Sequence, residues 1–68
     1  MLRISLAAAR VNKEMTQREA AKKLGISTRT LINWEKGLSY PSAPKINALC
    51  ALYEVSLDNL IFLPQNNA

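Results

Sequence analysis

Between Thr16 and Gly37 the sequence is punctuated so tightly that few conformations remain open to it. Thr16-Gln17-Arg18-Glu19 has the spacing of a capping box, in which the Thr16 hydroxyl accepts the Glu19 amide and the Glu19 carboxylate accepts the Thr16 amide. A helix begun there is expected to end near Leu24, because Gly25 can adopt the left-handed conformation that closes a helix. Ser27 then caps a second helix, which runs to about Lys36 and stops at Gly37. Counted from Gln17 as a unit of twenty residues, Ala21 is fifth and Gly25 ninth. Ala20, Leu24, Ile26, Leu31 and Trp34 then supply the inner faces. Two helices crossing steeply over a short turn need a small residue where their backbones approach, and Ala21 is that residue.

The rest of the chain reads as further short helices, with no alternation long enough to argue for a strand. A first helix is expected over about Ser5–Asn12, with Leu6, Ala7, Arg10 and Val11 turned inward. After the loop Leu38-Ser39-Tyr40-Pro41, Pro44 fits the first turn of a helix over about 43–53. Ile46, Leu49, Cys50 and Tyr53 form its apolar stripe. Ser56 caps a last helix over 57–63, with Asp58 in its first turn, and residues 64–68 read as a frayed tail. The expectation is one all-α domain over residues 1–63, a compact bundle of five helices with no internal repeat.

Bulk properties exclude several classes of function. With 68 residues there is room for a single small core. One cysteine, Cys50, permits no intrachain disulfide, which fits a reducing cytoplasm, and without histidine the usual zinc ligand sets are missing. No run has signal-peptide or membrane-spanning length. Five acids scattered over separate segments give no convergent acid–base pair, so no enzyme, cofactor or small-molecule ligand is expected. Charge is unevenly spread: residues 1–36 hold eight Lys/Arg against three acids, residues 37–68 one Lys against two. A basic half beside a nearly neutral one suits a polyanionic partner, with a solvated charged surface as the lesser alternative.

The chain resembles the Cro/cI-like, or Xre, helix-turn-helix domains of phage repressors and bacterial regulators, over about residues 4–63. The resemblance rests on Thr16-Gln17, Ala20-Ala21, Leu24-Gly25-Ile26-Ser27, Leu31, Trp34-Glu35-Lys36-Gly37, Pro41 and Val55-Ser56-Leu57-Asp58. It implies a lambda-repressor-like bundle with the motif at 17–36 and the recognition helix at about 27–36. It also implies double-stranded DNA as partner, a palindromic operator and a homodimer. It places a phosphate-binding glutamine at Gln17 and an internal ion pair between Arg10 and Glu35, and it gives the C-terminal segment Leu60-Ile61-Phe62-Leu63 a part in the dimer. Many members have Gly in the turn before the second helix, where this chain has Lys13-Glu14, and the first residue of the recognition helix, often Gln, is Thr28.

At about 100° per residue, Leu31, Trp34, Ser27 and Glu35 lie on the core side of the 27–36 helix. Arg29, Ile32, Asn33 and Lys36 point away, and Thr28 sits at the entering end. Arg29 suits guanine, Asn33 adenine, Thr28 several partners and Ile32 a thymine methyl, although Arg and Asn are also common on solvated faces. Ser27, Thr30, Lys36, Ser39 and Tyr40 are further phosphate candidates, whereas Lys22 and Lys23 read as solvated and Trp34 and Cys50 as core. The rival reading is a protein-interaction module, antitoxin-like or adaptor, which would need an exposed apolar groove or tail.

Overall fold

The computed structural model describes residues 3–62. Four helices carry the fold: α1 (Leu6–Asn12), α2 (Gln17–Leu24), α3 (Thr28–Lys36) and α4 (Ala43–Tyr53). Each starts where the sequence offers a cap. Ser5 Oγ accepts the Ala8 amide at 3.1 Å, and Ser27 Oγ accepts that of Thr30 at the same distance. The Thr16–Glu19 capping box is complete in both directions, at 2.8 and 3.0 Å. Holding the Thr16 amide keeps the Glu19 carboxyl below its ordinary pKa.

All four helices end by one device. The amide of Met15 returns to Arg10 O, Ile26 to Ala21 O, Leu38 to Asn33 O and Val55 to Cys50 O. Each bond spans six residues and turns the chain through a left-handed residue just before an apolar one, the Schellman arrangement. Two of those residues are Gly25 (φ 72°) and Gly37 (φ 78°), and the other two are Glu14 (φ 57°) and Glu54 (φ 56°). The turn before α2 therefore keeps the conformation glycine favours with Glu14 in its place. Left-handed backbone costs an L-residue about 1–2 kcal/mol, against the greater unfolded-state freedom of glycine. Glu14→Gly and Glu54→Gly are each expected to stabilise the domain by about 0.5–1 kcal/mol, read as a raised urea midpoint at unchanged slope. The Lys13–Glu54 ion pair that Glu54→Gly removes is exposed, so its loss subtracts little.

The five-helix expectation requires correction, as does the reading of a chain without strands. Where a helix was expected at 57–63, a single 3₁₀ turn (Leu57–Asn59) leads into β2 (Leu60–Ile61). This strand pairs in parallel with β1 (Ile4–Ser5), in the register Ile4 with Leu60 and Ser5 with Ile61. The physical reason lies in the alternation of the segment: Leu60 is buried and Ile61 exposed, while Phe62 returns to pack against the core. A period of two places those side chains correctly in extended chain, whereas a helix would not. Leu63, the Pro64 boundary and the expected tail lie outside the described residues.

Leu6, Ala9, Ala20, Ala21, Leu24, Leu31, Trp34, Leu49, Tyr53 and Leu60 form one core. Ala20 and Ala21 are fully covered where α2 meets its neighbours. The expected inner face of α1 was rotated too far. Ala9 takes the inner position, and Val11, at 59% exposure, faces outward. Along α4 the stripe holds for Leu49 and Tyr53, with Ile46 and Cys50 half-buried.

Candidate nucleic-acid interface

α3 follows α2 across Gly25, Ile26 and Ser27 and turns Leu31 and Trp34 into the core. That burial fixes which face is left over. Arg29 and Lys36 are exposed on it, and Thr28, Ile32 and Asn33 half-exposed. The outward face thus offers a guanidinium, an ammonium, an amide, a hydroxyl and a branched aliphatic group. At its entering end Ser27 Oγ and Thr30 Oγ1 lie 2.9 Å apart. One hydroxyl proton is used between them and the other remains to donate outward. Ser39 is half-buried and Tyr40 47% exposed in the loop after α3.

Behind this face a polar cluster joins three helices. Arg10 Nε donates to Glu35 Oε2 at 2.8 Å, with side-chain exposures of 13% and 6%. Arg10 Nη1 donates to the carbonyl of Met15 at 2.9 Å, and Gln17 Nε2 donates to Glu35 Oε1 at 3.0 Å. Glu35 therefore holds α1 through Arg10 and the start of α2 through Gln17. Gln17 is thus drawn toward the interior: one N–H of its amide is committed to Glu35, leaving the second and its backbone N–H for an anion.

Sequence reasoning missed the Gln17–Glu35 bond, since two residues eighteen apart carry no local signal. It also missed Lys45, whose Nζ donates to Leu24 O at 2.9 Å.

The Tyr53 ring is 1% exposed beneath the cluster. Burial raises its pKa from 10.0 to about 12; the neighbouring Glu35 charge adds to the rise and Arg10 opposes it. A folded acid with a raised pKa keeps its proton while the unfolded one loses it. The contribution is therefore intact below pH 10 and lost as pH climbs toward about 12. In that window wild type should lose about 1.4 kcal/mol per pH unit more than Tyr53→Phe, measured by urea denaturation at each pH.

Among the described residues no group of His, Cys, Asp and Glu could hold a metal ion, and no helix is long and apolar enough to cross a membrane. The terminal segment expected in a dimer is split. Leu60 is core, Phe62 is half-buried against it, and Ile61 is 39% exposed.

Two packed helices joined by a short turn, with a left-handed glycine between them and a largely polar outward face on the second, make up the arrangement that lays a helix in the major groove. A family model described as helix-turn-helix matches residues 6–60. The chain belongs to the helix-turn-helix family. It is of the Cro/cI-like kind, as the motif residues imply. The HTH-type transcriptional activator BcrR of Enterococcus faecalis is 29% identical over 52 residues, which are 76% of this chain and 26% of that protein. The chain thus spans about a quarter of the length of that helix-turn-helix relative. No solved structure is matched.

Proposed function

We propose that this helix-turn-helix chain is a sequence-specific, repressor-like regulator that binds double-stranded DNA with α3 in the major groove. The observation that carries the reading is the outward face of α3, where Thr28, Arg29, Ile32 and Asn33 stand opposite the buried Leu31 and Trp34. Arg29 is assigned to guanine, Asn33 to adenine, Ile32 to a thymine methyl and Thr28 to the base at the entering end. Backbone phosphates fall to Gln17 and the α2 N-terminus, to the Ser27–Thr30 hydroxyl pair and to Lys36, with Ser39 and Tyr40 in the following loop. The uneven charge of the chain supports the same polyanionic partner.

A homodimer would place two such helices on a palindromic site, about 34–36 Å apart. Its interface is proposed around Ile61 and Leu57, both exposed at the C-terminal end of the described chain. The place of action is then the cytoplasm, with the DNA. Occupancy of an operator suffices for repression, and since the Enterococcus relative is named an activator, a reporter driven from the selected site reads the sign.

The test is selection from a random duplex pool, followed by affinity measurements on the selected site at several salt concentrations. A palindromic site is expected, with Arg29→Ala costing about 1–3 kcal/mol, mainly by relaxing one base position. Binding that falls equally with salt for every sequence, with no site enriched, would reduce the interaction to phosphate attraction and overturn the reading.

A further inference from the structure

Lys45 stands where the local rules of α4 ask for the opposite charge. Ser42 is the N-cap of that helix and makes no side-chain cap bond, and its first turn contains no acid. A Glu at position 45 would complete a capping box with Ser42 and favour the positive end of the helix dipole. A lysine there does neither. What it does instead is non-local: Lys45 Nζ reaches from α4 to the carbonyl of Leu24, the last residue of α2, at 2.9 Å. There the charge is well placed, against the negative end of α2.

The surroundings of that carbonyl show what is being held. Leu24 adjoins Gly25, which turns the chain at φ 72°, and the Ile26 amide closes the same turn on Ala21 O at 3.0 Å. A Cβ built on Gly25 would lie 4.0 Å from Lys45 Nζ, so the ammonium sits directly against the turn. Gly25, Ile26 and Ser27 are the residues that connect α2 to α3 along the chain. A local preference given up for a bond to this turn marks a residue serving the site rather than its own helix.

We propose that Lys45 is a positioning residue for the recognition helix: it ties the α2–α3 turn to α4 and so fixes the angle at which α3 is presented. This rests on the DNA-binding reading above. The test compares wild type, Lys45→Met and Lys45→Arg, at a temperature where circular dichroism shows all three folded. It measures affinity for the selected operator and for a random-sequence duplex at one salt concentration. In parallel, hydrogen exchange of the Ile26 amide is followed without DNA. Lys45→Met is expected to lose about tenfold in operator affinity with little change on random duplex, and to speed Ile26 exchange. Lys45→Arg, which keeps a cationic donor, should restore both.

Equal losses on operator and random duplex would make Lys45 a phosphate contact and overturn the proposal. A lower melting temperature with unchanged discrimination and unchanged Ile26 exchange would make it a structural tie only, and overturn it too. If wild type itself selects no site, the DNA-binding reading fails, and the exchange of Ile26 alone decides whether Lys45 holds the turn.

Discussion

Arg10→Met is expected to cost about 3–5 kcal/mol, enough to leave much of a 68-residue domain unfolded at 25 °C. The cost comes from what stays behind rather than from what is removed. Glu35, with its side chain 6% exposed, would keep the Gln17 amide and lose the only cation that touches it among the described residues. The Met15 carbonyl, at the turn into α2, would lose its Arg10 donor in the same stroke. Urea denaturation of Arg10→Met, Glu35→Leu and the double variant separates the two contributions. The double variant should recover much of the loss, since two apolar groups leave no orphaned charge. A cost below about 1 kcal/mol for Arg10→Met would show that Glu35 is adequately solvated and that the cluster is incidental to folding.

Leu31→Ala is the second large effect, at about 2–5 kcal/mol, because Leu31 is fully buried between α3 and the other helices. Its neighbour supplies the contrast. Ile32, half-exposed on the other face, should change stability by less than about 0.5 kcal/mol when cut to Ala. On DNA the order reverses. At a temperature where both are folded, Ile32→Ala should weaken operator binding and Leu31→Ala should bind normally. Chemical denaturation and operator titration of the same two proteins check the inversion. If both variants lose stability equally, the assignment of faces on α3 is wrong.

Features carried by adjacent residues could be read directly from the sequence. The capping box at Thr16–Glu19 and the glycines at 25 and 37 each announce themselves within a few positions, and α2 and α3 end where those signals put them. Left-handed turns at Glu14 and Glu54 could not be read, because glutamate, unlike glycine, carries no preference for that conformation. The segment at 57–63 reads as a helix in the sequence because its length and Ser56 cap suit a short helix equally well. The pairing with Ile4–Ser5, which no local signal reveals, and the alternating burial of Leu60 and Ile61 make extended chain the better state. The outward residues of α3 followed from periodicity once Leu31 and Trp34 were placed inward. The partners of Gln17 and Lys45 did not, being contacts between residues distant in the chain.

The pairing of β1 with β2 brings nearly opposite ends of the chain side by side. Joining segments so far apart closes a long loop, so chain entropy postpones it until the helices have already condensed. Contacts made that late do little to speed folding, but they must break early on the way out. The two-residue ladder, with Leu60 sealing the core beside it, therefore acts as a latch on the lifetime of the native state. Changes at Leu60 should shorten that lifetime far more than they slow its formation.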